Sequence, residues 1–268
     1  MSAPLFSIVT VTLNCADDAV RTAQSVLAQD FADYEYIVKD GGSQDGTAER
    51  LRTLGISAHG SPDTGIYDAM NQALALCQGD YVYFLNGGDT FFDNHVLSRV
   101  ARQLDSAAAV VYGDVVRQPW GSRTNYPPTL SRYYLFKKNI CHQAWLARRD
   151  VYERLGGFIV ESPLATLRQP IAADQEFLWR VLLKEGLAAR KVDVVLANFP
   201  FGGYSTGRGI GAQSRRERWL LLQSFYSRWE LFHYGLRSLY FLNPLKARLW
   251  EVIHRRNAAD AERMLVRS

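Results

Sequence analysis

Cysteine is scarce in this chain. Its 268 residues include three, Cys15, Cys77 and Cys141, an odd number, widely spaced and without a C-x-x-C pair. That argues against a disulfide framework and a zinc cluster and fits a reducing compartment. No window of about 18 or more uncharged apolar residues occurs, so no membrane-spanning helix is expected. The opening MSAPLFSIVTVTL has no basic stretch and too short an apolar run for a signal peptide, and none is expected. Two phosphate-binding signatures are also missing. There is no G-x-G-x-x-G and no G-x-x-x-x-G-K-[ST], so neither dinucleotide nor P-loop binding has its usual support. Nor is there an internal repeat, a low-complexity tract or a convincing nucleophile elbow.

What is present is ordinary in amount and uneven in placement. With 47% hydrophobic and 22% charged residues and a net charge of +4, the chain is not mainly disordered. At roughly 100–200 residues per domain, its length suits one large domain, alone or with an appendage. Residues 215–268 hold 11 Arg/Lys against 5 Asp/Glu, whereas the first 214 hold 20 against 22. The same tail carries nine of the 33 aromatics, among them Trp219, Trp229, Phe232 and Trp250. A glycine-rich stretch, Gly202 to Gly211, precedes this shift and marks a boundary near residue 207. The tail reads as two helices from Gln213 onward, broken near Asn243-Pro244.

Patterning divides the first half into alternating strands and helices. Phe6–Leu13, Tyr34–Val38 and Tyr81–Leu85 are short β-branched or aromatic runs, with Ile56–His59 a weaker one. Helical periods fall at Asp17–Gln29, Thr47–Leu54 and Ile66–Cys77. Such alternation predicts a parallel sheet of βαβ units, with ligands beyond the carboxyl ends of the strands. Three loops are polar there: Asn14, Asp40-Gly41-Gly42-Ser43-Gln44-Asp45-Gly46, and Asn86-Gly87-Gly88-Asp89. The second half is less regular. Ala109–Val116, His142–Ala147 and Val192–Phe199 read as strands, Trp120–Leu130 as a loop and Ala172–Gly186 as an amphipathic helix.

Each acidic candidate reads in two ways. Asp40 closes an apolar strand and could meet a base or ribose, or it could serve a turn in which Asp45 and Thr47 cap the next helix. Asp89 could meet a diphosphate-bound cation, since Mg²⁺ usually takes one or two carboxylates plus phosphate oxygens, or it could cap a helix near Asn94. Asp174 and Glu176 open a helix whose dipole favours acids in any case, and at a spacing of two they do not share a face. His142 could bind substrate or be a satisfied buried imidazole. A Cys141/His142 nucleophile pair is disfavoured, because neighbours in a strand point to opposite faces.

Taken together, SIVTVTLN, IVKDGGSQDGT, SPDTGIYDAMNQAL, GDYVYFLNGGDTF, ICHQAWLARRDVYERLGGF, ADQEFLWRV and GGYST resemble family 2 glycosyltransferases. These are inverting enzymes of GT-A fold, and the likeness is to the bacterial polysaccharide branch that includes colanic acid transferases. It covers residues 5–206. It implies an α/β architecture: a Rossmann-like nucleotide-diphospho-sugar transferase with a mixed, mainly parallel sheet flanked by helices, plus a C-terminal helical extension. The corresponding domains are 1–207, with a nucleotide-sugar half to about 115 and an acceptor half from about 116, and a basic aromatic extension, 208–268.

The resemblance also assigns roles. Thr10, Thr12 and Asn14 edge the nucleotide pocket, Asp40 contacts base or ribose, and Asp63, Gly65, Asp68 and Asn71 line the donor site. Asn86 and Gly88 stand where the family often has acids, and Asp89 is the carboxylate for Mn²⁺ or Mg²⁺. Asp174 matches the catalytic base, with Ala173 in place of the usual Glu, and His142 and Gln143 lie near the acceptor. The implied reaction moves a sugar from a UDP- or GDP-sugar to a glycan or lipid-linked glycan hydroxyl, in surface polysaccharide synthesis. A non-catalytic nucleotide-sugar binder and a nucleotidyltransferase are the competing readings. No nucleic-acid partner is expected, because no reader motif accompanies the basic tail. A cytoplasmic location follows, with residues 215–268 either touching the inner membrane face or packed on protein. Acids 40, 89 and 174 are expected to share one cleft.

Overall fold

The computed structural model describes residues 3–161, 170–200 and 210–238. The GGYST segment, the boundary at 207 and the Asn243-Pro244 break lie outside them. The chain divides into two compact units, residues 1–221 and 222–268.

In the first unit, β1 (Phe6–Thr12) is buried at every position. It runs parallel to β2 (Tyr34–Asp40) on one side and β4 (Tyr81–Phe84) on the other. A strand paired on both edges and covered on both faces has no use for alternating polarity, hence the run FSIVTVT. α1 (Ala16–Leu27), α2 (Thr47–Thr53) and α3 (Ile66–Leu74) connect these strands, and a two-residue β3 (His59–Gly60) extends β2's edge. Register places Thr12 opposite Asp40 and Val9 opposite Phe84, so the loops after the three strands open at one end.

Across the sheet lie β6 (Val110–Gln118), β8 (Trp145–Arg148) and β9 (Ala189–Pro200), with β5 (Thr90–Phe91) beyond β9 and β7 (Ser122–Thr124) beside β6. The order is β3-β2-β1-β4-β8-β6-β9-β5, with four parallel and four antiparallel pairings among the described residues. α4 (Val96–Ala101), α5 (Arg132–Lys137) and α6 (Arg149–Leu155) complete this part.

The sequence reading departs from the structure at three places. Within Trp120–Leu130, read as a loop, Ser122–Thr124 pairs with β6 as β7. His142–Ala144 forms a single 3₁₀ turn before β8 rather than strand. The helix expected over 172–186 is α7 (Ala173–Trp179) followed by a wider π-type turn, Arg180–Lys184. The apolar period runs through both, so pattern alone does not separate them.

α8 (Ile210–Phe225) begins in the first unit. In the second, α9 (Arg228–Ser238) starts with a capping box: Ser227 Oγ accepts from Glu230 N, and Glu230 Oε2 accepts from Ser227 N.

β6 shifts register against β9 around Gly113. A Cβ there would stand 2.4 Å from the Val194 carbonyl oxygen, so glycine is what lets the strands close. Gly113→Ala is expected to cost about 1–3 kcal/mol of stability, read from urea denaturation; an unchanged midpoint would contradict this packing.

Candidate active site

A cleft of about 460 Å³ opens where the loops meet. Its wall includes Thr12, Cys15, Tyr67, Asn86, Asp89, His142, Gln143 and Asp174, together with Arg117, Phe199 and Ser214. Two of the three expected acids, Asp89 and Asp174, therefore meet there.

Asp89 is held by a turn directly after β4. Its N–H donates to Asn86 O at 2.9 Å. Gly88, at φ +100°, allows the reversal and donates to Thr22 Oγ1 at 3.0 Å, and that hydroxyl donates to Asp89 O at 2.7 Å. α1 thus fixes the turn from below. On the carboxylate, Oδ2 accepts from Gln143 Nε2 at 3.0 Å and lies 3.8 Å from His142 Nε2. The same imidazole nitrogen is 3.1 Å from Asn86 Nδ2. An amide NH₂ only donates, so Nε2 accepts and the neutral ring carries its proton on Nδ1. Burial agrees, pushing the His142 pKa down to about 4. Among the described residues no cation pairs with Asp89, whose pKa burial raises to about 7 against the help of Gln143, and Asn86 Oδ1 is buried beside it without a partner.

Asp174 sits in the first turn of α7, its pKa raised to about 6, again by burial. Tyr67, from α3, directs its hydroxyl to Asp174 Oδ1 at 3.2 Å and to Ile171 O at 2.9 Å. Glu176, the competing acid, is paired with Arg180 instead. Burial pushes the Cys141 thiol up to about 12, away from the thiolate a nucleophile needs.

Several expected residues do not line this cleft. Asp40 is the correction to the three-acid expectation. Its carboxylate accepts from Ser43 Oγ at 2.6 Å and from Ser43 N, closing its own loop. Asn14 bridges to that loop, accepting from Gln44 N and donating to Ser43 Oγ. Thr10 is buried between Leu85 O and Tyr36 OH. Asp63 pairs with Lys39, whose side chain is 1% exposed. Gly65, at φ +148°, shapes the turn into α3. There Asp68 accepts from Thr64 N, and Asn71 spends both ends of its amide on the Phe158 backbone. Tyr67, Arg117 and Phe199 were not singled out from the sequence. Only Tyr67 carried a signal, as the unassigned aromatic of GIYDAMN.

With this mixed sheet and its cleft established, comparison with known proteins gives the family. The profile of Glycosyl transferase family 2 matches residues 7–156, and the chain belongs to that family. It is 35% identical over 214 residues to a PGL/p-HBAD biosynthesis glycosyltransferase of Mycobacterium bovis, covering 76% of this chain and 80% of that one. Among solved structures, the mannosyltransferase PcManGT from Pyrobaculum calidifontis, in complex with GDP-Man and Mn²⁺, superposes with a TM-score of 0.63 at 18% identity, covering 85% of this chain and 66% of that one. S. aureus TarS 1-349, in complex with UDP-GlcNAc, gives 0.59 at 17% identity, covering 75% of this chain and 58% of that one. The chain thus spans little more than half of TarS 1-349. The shared fold is GT-A.

Because Asp89 holds its proton more tightly when folded than the ordinary 3.8, its own contribution to native stability is fullest below about pH 4 and is lost as pH rises to about 7. In chelator, the urea midpoint of the wild type is expected to fall between pH 5 and pH 8, and Asp89→Asn to flatten that fall. Parallel curves for the two proteins would refute the assignment.

Proposed function

We propose that this family 2 glycosyltransferase moves a sugar from a UDP- or GDP-sugar to a hydroxyl of a glycan or lipid-linked glycan, with inversion, in bacterial surface polysaccharide synthesis. The observation that carries the reading is the convergence of Asp89 and Asp174 on one cleft. A sugar hydroxyl is a weak nucleophile and needs a base within reach as its bond forms. Asp174, with a pKa near 6, is ionised at neutral pH yet basic enough for that task. In a single displacement the acceptor oxygen bonds to the anomeric carbon, the bond to the diphosphate breaks and Asp174 takes the proton. His142 and Gln143 present the acceptor side of the cleft. Thr12 edges the donor pocket, and the network joining Asn14, Asp40, Asp63 and Asp68 shapes the loops around it.

The cleft also suits a divalent cation. Among the described residues no group of three acidic, histidine or cysteine side chains could form a closed cage, but Asp89 lacks a counter-charge and Asn86 Oδ1 lacks a donor. Asp89 and Asn86 would hold Mn²⁺ or Mg²⁺ together with donor phosphates, where it would neutralise the departing diphosphate. The Mn²⁺ and nucleotide sugars named in the related structures support this reading.

The test is a panel of UDP-, GDP- and dTDP-sugars, scored for nucleoside-diphosphate release with and without Mn²⁺. Asp174→Asn and Asp89→Ala are each expected to lose about 100-fold or more in turnover, and wild-type kcat to climb as pH rises through about 6. Near-normal turnover in both variants would defeat the role assignments, and pyrophosphate release would indicate nucleotidyl transfer instead.

α9 favours a cytoplasmic protein that touches the membrane. Trp229, Phe232 and Leu236 are 71%, 64% and 60% exposed, share one helix face and lie between exposed Arg228 and Arg237. No helix among the described residues is long and apolar enough to cross a membrane. Replacing all three apolar residues by serine is expected to cut co-sedimentation with phosphatidylglycerol vesicles about fivefold or more; equal binding would discard this surface.

A further inference from the structure

Helix α8 reaches the cleft from beyond the region that the family profile matches. Its Glu217 is 1% exposed and does not line the cavity. Instead, Glu217 Oε2 accepts from the backbone N–H of Ile171 at 2.7 Å and of Ala172 at 3.1 Å, while Oε1 accepts from Gln213 Nε2 at 3.1 Å. These two N–H groups stand at the entrance to α7, where helices leave donors unsatisfied. Ala172, the residue before the first turn, has no side chain able to cap it. Glu217 instead holds the two backbone N–H groups that lead into the helix, with a charge-assisted bond to each.

Ile171 is consequently held at both ends. Glu217 takes its N–H, and Tyr67 donates to its carbonyl with the hydroxyl that also reaches Asp174 Oδ1. One residue further along α8, the Arg218 guanidinium donates to Phe136 O at 2.8 Å and lies over the Trp179 ring. Helix α8 is thus attached both at the start of α7 and at its last residue. Burying a carboxylate is expensive unless every lone pair is used, so its presence here marks a backbone that must be held in one position.

We infer that Glu217 is a positioning residue for Asp174: it fixes the Ile171–Ala172 backbone and thereby aims the base into the cleft. The inference rests on Asp174 being the base. Small displacements of a reacting group carry large rate penalties, so Glu217→Ala is expected to lower kcat about 30-fold while UDP and GDP affinity stay within about twofold. Glu217→Gln, whose amide oxygen still accepts both N–H bonds, is expected to recover the rate to within about threefold of wild type.

The experiment uses the full chain. It measures nucleoside-diphosphate release from the fastest donor of the panel, calorimetry with UDP and GDP, and a thermal melt for each variant. Should Glu217→Ala fail to fold, Glu217→Asp replaces it: one methylene shorter, it is expected to lose about tenfold in kcat at unchanged nucleotide affinity. Wild-type kcat in the folded variant, a loss expressed in nucleotide affinity, or no recovery with Gln overturns the inference. Where Asp174→Asn is inactive and Glu217→Ala is silent, the positioning role alone falls. Normal turnover in Asp174→Asn removes the base and this inference together.

Discussion

One hydroxyl joins the two halves of the cleft. Tyr67 belongs to α3, early in the chain, yet its single proton is shared between Ile171 O and Asp174 Oδ1, about a hundred residues further on. Beneath it lies a continuous aromatic cluster. Tyr67 meets Phe158 at 5.7 Å, Phe158 meets Phe177 at 5.2 Å, and Phe177 stacks on Tyr152 at 4.5 Å. Each such pair contributes about 0.5–1.5 kcal/mol beyond its burial. More to the point, ring on ring leaves few alternative packings, so the acid above is carried on a rigid base.

The acids of this protein divide by what surrounds them. Asp40 and Asp63 end in Ser43 and Lys39, and these bonds turn them into struts for the loops after β2 and β3. Asp89 and Asp174 receive fewer donors than their burial demands, and both have raised pKa values. An ionised carboxylate left short of partners is poised to accept a cation or a proton. The same residue type therefore ties down a loop in one place and is left short of partners beside the cleft in another.

Much of this was legible in the sequence, for physical reasons. β1 and β4 announce themselves because strands buried on both faces must be apolar runs, β2 through its short YIV core, and the polar loops behind them mark the open end of the sheet. Thr12, Asn86, Asp89, His142, Gln143 and Asp174 reach the cleft as their motifs suggested. Thr10, Asn14, Asp40, Asp63, Asp68 and Asn71 do not. A polar side chain near a strand end can turn to its own loop as easily as to a ligand, and local hydrogen bonds decide which. Two-residue strands such as β5 exist only through their partners. Glu217 was illegible for the same reason: nothing near it in the chain hints at the backbone it caps.

The path of α8 bears on how such enzymes are recombined. A graft joined in the glycine-rich stretch near residue 207 would look natural by composition, yet it would import the acid of α7 without the helix that anchors its entrance. Only a junction beyond Arg218 keeps these contacts, and so the self-contained unit around α7 is longer than its signature motifs.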